Sequence, residues 1–201
     1  MRVLLFIPLA CMMFFSSCKA QVKQDSAGKK NTIMERFDIE RFNKNKVNGQ
    51  YNFINIEHAQ VRQVENKEDY TEEIKLPTSP YTKVKAYFKV KGFLKISGEK
   101  FYAVPVGVWK YFDSNEKLQK ETDWDTPFAF TIKDLDKKMK SLGIEIMVPG
   151  GGVNVHRSNI ASPLYIVSYP VNKNNPYQIY QLKIDGKTGE TIEKTTVVTK
   201  N

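Results

Sequence analysis

Residues 131–143, TIKDLDKKMKSLG, carry the strongest helical pattern in the chain and decide its fold class. Four apolar residues follow one another at intervals of three, four and three positions: Ile132, Leu135, Met139 and Leu142. That spacing aligns them in one stripe along a helix. Thr131 can cap the amino end, and Gly143 stands where helices commonly end. The sequence therefore predicts an amphipathic helix at about 131–142, whose apolar stripe must pack against other elements.

Most of the remaining pattern predicts β-strands. The clearest is YTKVKAYFKV, residues 81–90, which is rich in β-branched and aromatic residues. PLYIVSY, residues 163–169, is almost wholly apolar, which indicates a strand buried on both sides. Further strands are predicted at 51–56, 61–64, 93–96, 177–184 and 190–198, and a short helix at 32–44. We therefore expect an α+β fold, with an antiparallel-rich sheet on which the 131–142 helix packs.

Residues 105–125 resemble one MORN-type unit. The stretch reads Gly-Val-Trp-Lys-Tyr-Phe at 107–112, then Asp-Ser-Asn-Glu, then Lys-Leu-Gln-Lys-Glu at 117–121. In that family such a unit is a β-hairpin, and its turn usually holds a glycine where this chain has Glu116. Asn115 tolerates the left-handed conformation that such turns need, so the hairpin is expected to survive. Repeat arrays need several stacked units, so this single copy predicts a hairpin within a mixed sheet.

The carboxyl-terminal part, residues 131–198, resembles a PepSY-type module. It combines the predicted helix with hairpins and has the turn Asp-Gly-Lys-Thr-Gly-Glu at 185–190. The resemblance implies a helix followed by antiparallel strands. Trp109, Tyr111, Phe128, Leu135, Tyr165 and Val167 are the residues we expect in the core.

The first 18 residues have the layout of an export signal. Met1-Arg2 precedes an apolar run from Val3 to Phe15, and Ser16-Ser17-Cys18 follows. Phe15 to Cys18 resembles the lipobox of bacterial lipoproteins, although that family usually has Leu or a β-branched residue at the position of Phe15. The resemblance implies cleavage before Cys18 and acylation of that residue. The alternative is an ordinary signal peptide cut after Ala20, with Lys19 awkwardly inside the cleavage site.

This interpretation divides the chain into a lipoprotein signal peptide at 1–17, a lipidated Cys18 with a flexible tether at 18–31, and one domain at 32–201. Lys19 stands where an acidic residue would resemble an inner-membrane retention signal, so the resemblance favours the outer membrane of a Gram-negative bacterium and leaves the leaflet open. Cys11 would leave with the signal and Cys18 would carry lipid, so the mature protein is expected to form no disulfide. No later apolar run is long enough to cross a bilayer.

The residues that could support catalysis or metal binding are scattered. His58 and His156 are the only histidines, and neither lies in a metal-binding motif. Glu72-Glu73 and the pair Asp123 and Asp125 could in principle do acid–base chemistry, but their turn-like or strand-end positions favour charged surfaces. Two glycine-containing stretches could in principle approach a ligand: Gly150-Gly151-Gly152 and Gly186-Lys187-Thr188. Neither stretch has the context of a phosphate-binding loop, so we predict no catalytic, metal or cofactor site.

The charge and the export signal together suggest a class of function. The chain carries a net charge of +9, and without Arg2 its 30 basic and 22 acidic residues still leave +8. An exported protein rarely meets nucleic acid, so an anionic membrane surface or an acidic protein is the expected partner, unless the lysines only solvate the surface. We expect a lipid-anchored, non-enzymatic protein-binding module, such as an immunity protein that neutralises a delivered toxin. The alternatives are a structural or assembly lipoprotein of the outer membrane and an envelope enzyme acting on wall or lipid.

Overall fold

The computed structural model describes residues 35–172 and 175–198. Their elements follow the chain as α1 (Ile39–Asn45), β1 (Gln50–Ile54), β2 (Gln60–Glu65), β3 (Asp69–Lys75), β4 (Tyr81–Phe88), β5 (Leu94–Phe101), β6 (Val104–Phe112), β7 (Leu118–Asp123), α2 (Ile132–Ser141), β8 (Asn154–Ser158), β9 (Leu164–Asn172), β10 (Asn175–Asp185) and β11 (Thr191–Val198). The predicted signal peptide, Cys18, the tether and the first residues of the predicted 32–44 helix lie outside the described residues. No helix of the described part is long and apolar enough to span a membrane.

Strands β1 to β7 form one antiparallel sheet in which each strand pairs with the next along the chain. Every connection inside this meander therefore joins neighbouring strands. Because the strands alternate in direction, the turns at 55–59, 76–80 and 102–103 lie at the same end of the sheet. We call it the basal end.

One face of this sheet, the covered face, carries both apolar cores. The register places Tyr70, Tyr87 and Phe101 on it. The smaller core joins Tyr70 and Tyr87 to residues of the segment that leads into α1, and Phe37 stacks on Tyr70 with ring centroids 4.6 Å apart. Phe42 brings α1 into this core and is fully buried.

The larger core joins the seven-stranded sheet to the rest of the chain. Strands β8 to β11 form a second antiparallel sheet, in the order β11-β10-β9-β8. Residues from both sheets, from α2 and from the connecting loops share one cluster: Phe101, Val106, Phe128, Leu135, Met139, Ile144, Ile146, Val155, Tyr165, Val167, Leu182 and Ile184. The residues that the structure describes accordingly form one compact unit.

The opposite, open face of the seven-stranded sheet holds a mixture of basic, acidic and apolar side chains. The register places on it Arg62, Glu73, Val84, Ala86, Ile96, Lys100, Trp109 and Tyr111. None of these residues belongs to either core of the described chain. The ring of Trp109 lies where a side chain at Gly98 would stand, so it packs flat on the sheet.

Four of the six predicted core residues are confirmed. Phe128, Leu135, Tyr165 and Val167 are all buried. Trp109 and Tyr111 are only half-buried, so their assignment to the core is wrong. They lie on the face of the sheet that neither core touches, and the sequence pattern of a strand does not show which of its faces is covered.

The predicted 131–142 helix is confirmed as α2. The Thr131 side chain accepts a hydrogen bond from the Asp134 N–H, and the Asp134 carboxylate accepts from the Thr131 N–H, forming a capping box. Gly143 follows with φ +74°, the left-handed conformation that ends many helices. Leu142, however, is 55% exposed, because the apolar stripe leaves the core at the last turn. The predicted 32–44 helix corresponds to the shorter α1, and most of the described chain is antiparallel sheet, with two helices in place of the single one expected in the fold class.

The hairpin predicted at 105–125 is confirmed as β6 and β7. The Asp113 carboxylate accepts hydrogen bonds from the backbone N–H groups of Asn115 and Lys117, which closes the turn. The left-handed residue is Glu116, with φ +63°, and not Asn115 as predicted. Glu116 thus takes the left-handed conformation, at the position where the MORN pattern has its glycine.

Several strand predictions need correction. Strand β3 was not predicted, because its sequence Asp-Tyr-Thr-Glu-Glu-Ile-Lys is mostly polar. Strand β9 alternates buried and half-buried residues along 164–168, so it is buried on one side only, since the second sheet packs on a single core. Strand β5 continues through Gly98 to Phe101.

Candidate functional site

Glu72 and Glu73 do not form a carboxylate pair. They lie in the middle of β3, where successive side chains point to opposite faces of the sheet. Glu72 accepts a hydrogen bond of 2.6 Å from the Gln63 amide on the covered face, whereas Glu73 contacts Arg62 and Lys100 on the open face. Their predicted turn-like position is therefore wrong, and they cannot act together on one substrate.

The covered face holds a different acidic cluster around Tyr87. The Tyr87 hydroxyl lies 3.3 Å from a carboxylate oxygen of Glu35 and 3.3 Å from one of Glu72, and its O–H can donate to either. Burial, followed by the two nearby negative charges, raises the pKa of Tyr87 well above its usual value. Lys85 binds Glu35 at 2.6 Å. This network ties the start of the described chain to the sheet.

Asp125 has a structural partner. Its carboxylate binds the Arg157 guanidinium at 2.7 Å and accepts a hydrogen bond from the Gly107 N–H at 3.0 Å. Asp123, at the end of β7 as predicted, accepts from the Asp125 N–H at 2.9 Å. The pair therefore shapes the loop after β7 and links it to β8.

The two histidines lie apart. His58 lies in the turn between β1 and β2 with φ +58°, and His156 is exposed on β8. Within residues 35–172 and 175–198, no group of three or more His, Cys, Asp or Glu side chains is arranged to hold a metal ion.

The glycine stretches serve as turns and loop segments. The Asp185 carboxylate accepts hydrogen bonds from the Lys187 and Thr188 N–H groups, which closes the predicted turn between β10 and β11. The Gly150–Gly152 loop leads into a strand and not into a helix. Beside Gly151 lies a small pocket of about 210 Å³ with mainly apolar walls, among them Val148, Val153 and Tyr169.

A shallow pocket lined by several charged side chains lies on the open face at the basal end. It has a volume of about 390 Å³, and we call it the Glu73 pocket. Strands β2, β3, β4 and β5 supply its main polar residues: Gln60, Arg62, Glu73, Lys75, Thr82 and Lys100. The cross-strand pairs Arg62–Glu73 and Thr82–Lys100 bring them together, although up to 40 positions separate them in the sequence.

Glu73 lies between two cations in this pocket. One carboxylate oxygen is 3.5 Å from Arg62 Nη1, and the other is 3.2 Å from Lys100 Nζ. Lys75 follows two positions later on the same face and forms no ion pair with any described residue. Three basic side chains therefore surround one carboxylate, which gives the pocket a local charge of about +2 and suits it to an anionic group.

Three exposed aliphatic side chains lie at the basal end, where Ile54 pairs with the pocket residue Gln60 and Leu76 follows the pocket residue Lys75. Ile54 is 60% exposed, Ile56 99% and Leu76 46%. We call them the turn-tip patch. The Asn55 side chain accepts hydrogen bonds from the N–H groups of Glu57 and Ala59, so the turn that presents Ile56 has a defined conformation. Single exposed aliphatic residues are common, but several grouped beside a polar pocket indicate a contact surface.

Sequence reasoning missed this site. Arg62, Lys75 and Lys100 are each isolated from other basic residues in the sequence, so composition does not mark them as a group. Only the strand register brings them together, and β3, the strand at the centre of the pocket, was itself not predicted. Comparison with models of protein families, with curated proteins and with solved structures found no match to this chain.

Proposed function

We propose that this chain is a lipid-anchored protein of the bacterial envelope whose folded domain binds a partner protein without catalysing a reaction. The anchor is Cys18, at the end of the export signal. Each buried CH₂ of an acyl chain contributes about 0.8 kcal/mol, so a multiply acylated cysteine holds its protein on a membrane stably. Residues 19–34 link the anchor to the described domain and span at most about 50–60 Å.

The main support for a binding function is the difference between the two faces of the seven-stranded sheet. The covered face supports both cores, while the open face presents the half-buried Trp109 and Tyr111 together with the Glu73 pocket. Aromatic and arginine side chains are the residues that most often dominate protein interfaces. A binding module needs such a surface. Catalysis has less support, because Glu72 and Glu73 lie on opposite faces and the carboxylates of Asp123 and Asp125 are held by structural partners.

The expected partner is a protein with an acidic surface. The Glu73 pocket supplies positive charge, and the adjacent turn-tip patch supplies apolar area that a partner can cover. Burying one fully exposed isoleucine contributes about 1.5–3 kcal/mol. The two features lie at one end of the sheet, so one partner can contact both.

Affinity capture with the full-length protein from detergent-solubilised envelopes tests this function. The double variant Ile56→Ser/Leu76→Ser removes most of the turn-tip patch, and Val90→Ser/Leu142→Ser removes exposed aliphatic residues elsewhere as a matched control. We expect one protein to be captured by the wild type and the control and lost from the patch variant. Capture of no protein, or the same capture by all three forms, would contradict the proposal.

The anchor is tested separately by Cys18→Ala. We expect the wild type to sediment with membranes and the variant to be released into the soluble fraction, because acylation requires the cysteine thiol. Mass spectrometry of the mature amino terminus supplies the direct readout. An unmodified Cys18, or a mature chain beginning at Gln21, would exclude the anchor whatever the binding experiment shows.

The identity of the captured protein separates the narrower roles. An immunity role requires that the partner is a toxin and that its gene stands next to the gene for this chain. A structural or assembly role requires a partner that is itself a component of the envelope.

A further inference from the structure

We propose that the Glu73 pocket receives a carboxylate side chain of the partner protein, held between Arg62, Lys75 and Lys100. This inference deepens the proposed function and rests on it, since it names the chemistry of the group that the open face recognises.

Arg62 and Lys100 keep unused hydrogen-bonding capacity. A guanidinium has five N–H donors and an ammonium has three, yet the contacts of both with Glu73 are long, at 3.5 and 3.2 Å. The Arg62 side chain is 51% exposed and that of Lys100 is 31% exposed. A second carboxylate can therefore bind these cations without displacing Glu73.

Glu73 acts as the internal counterion of the site. Its two oxygens point to different cations, one on β2 and one on β5, so it holds both side chains towards the centre of the pocket. Its charge also opposes an incoming anion. Neutralising Glu73 should therefore strengthen anion binding, while neutralising Arg62 or Lys100 should weaken it.

The shape of the site favours a protein over a membrane surface. The Glu73 pocket is a depression across four strands, and a carboxylate on a side chain can project into it. A partner with an acidic residue beside an apolar depression can satisfy the pocket and the patch together.

Fluorescence anisotropy with a rhodamine-labelled hexaglutamate peptide tests this chemistry on the full-length protein in neutral detergent. We expect saturable binding that is lost with a hexaglutamine peptide. Arg62→Gln and Lys100→Gln should each weaken binding about two- to fivefold, the range expected for one exposed charge pair. Glu73→Gln should strengthen it by a similar factor. Lys133→Gln makes the same charge change on the exposed surface of α2 and should leave binding unchanged.

Four results would overturn the carboxylate pocket. The first is no binding of the peptide, and the second is equal weakening by Lys133→Gln, which would mean that only the net charge matters. The third is weaker binding by Glu73→Gln. The fourth is that the Arg62, Lys100 and Glu73 variants change binding to phosphatidylglycerol vesicles but do not change binding to the peptide. That result would mean that the pocket contacts a membrane and not a protein. If the carboxylate pocket fails while capture still depends on the turn-tip patch, the protein-binding function stands without this pocket.

Discussion

At the scale of single residues, Arg157 is the main polar link between the two sheets. Its side chain is only 5% exposed, yet it binds Asp125 at 2.7 Å and donates to the backbone carbonyls of Pro105 and Trp124. Its guanidinium also lies 4.5 Å from the centre of the Phe128 ring. Arg157 thus satisfies carbonyl groups of the seven-stranded sheet and of the loop after it from a strand of the second sheet.

Replacing Arg157 by Ala should lower the free energy of unfolding by about 3 kcal/mol, because two part-buried carbonyl groups lose their donor. Urea unfolding followed by circular dichroism measures this loss. Arg62→Ala is the matched control: its side chain is half exposed and its one ion pair is long, so it should cost less than about 1 kcal/mol. Equal losses for the two variants would mean that Arg157 is not a structural link.

Tyr165 gives the protein a specific sensitivity to alkaline pH. Its hydroxyl donates to the Phe130 carbonyl at 2.9 Å, and burial raises its pKa to about 12. An unfolded tyrosine has a pKa of about 10. The folded state therefore keeps a proton that the unfolded state loses, so this contribution to stability is complete below pH 10 and disappears as the pH rises to about 12.

The variant Tyr165→Phe tests this dependence. It should lose about 1 kcal/mol at neutral pH through the missing hydrogen bond. Between pH 10 and 12 its stability should fall less steeply than that of the wild type. The two slopes should differ by at most about 1.4 kcal/mol per pH unit, the value for the titration of one proton. Other buried tyrosines, Tyr87 among them, retain their own dependence in both proteins. Parallel stability curves for the two proteins would contradict the assignment.

At the scale of elements, the β6–β7 turn contains a correctable strain. Glu116 has φ +63°, a conformation that is unfavourable for residues with a Cβ atom and open to glycine. Glu116→Gly should therefore raise the free energy of unfolding by about 0.5–1 kcal/mol. The ion pair that it removes, Arg36 to Glu116 at 3.9 Å, is long and contributes little.

Asn115→Gly is the matched control for this turn. Asn115 does not have a positive φ, so glycine there only adds freedom to the unfolded chain and should not stabilise the protein. Thermal unfolding of the two variants measures the difference. A gain from Asn115→Gly and none from Glu116→Gly would show that the left-handed residue of the turn is Asn115.

The elements also show what the sequence could predict. Helix α2 was predicted almost to the residue, because its apolar spacing, its Thr131 cap and Gly143 are all local signals. Strand β3 was missed, because Glu72 and Glu73 are held by partners on other strands and local composition does not show this. The Glu73 pocket was not predicted for the same reason. Its cations come from different strands, and the register that aligns them is a property of the whole sheet.

At the scale of the whole molecule, the shared core should make the two sheets unfold together. Phe101 and Val106 of the seven-stranded sheet pack in one cluster with α2 and the second sheet, and Arg157 adds a polar link. We expect a single transition in urea, with the same midpoint by far-ultraviolet circular dichroism and by tryptophan fluorescence. Two transitions with different midpoints would mean that the sheets are separate folding units.

The order of the seven-stranded sheet has a consequence for how the protein folds. Each strand pairs with the one that precedes it, so nearly all contacts within this sheet join nearby stretches of chain. Such low contact order favours rapid folding. A chain that emerges amino end first during its synthesis adds one hairpin after another, with little time spent as an unpaired, aggregation-prone intermediate.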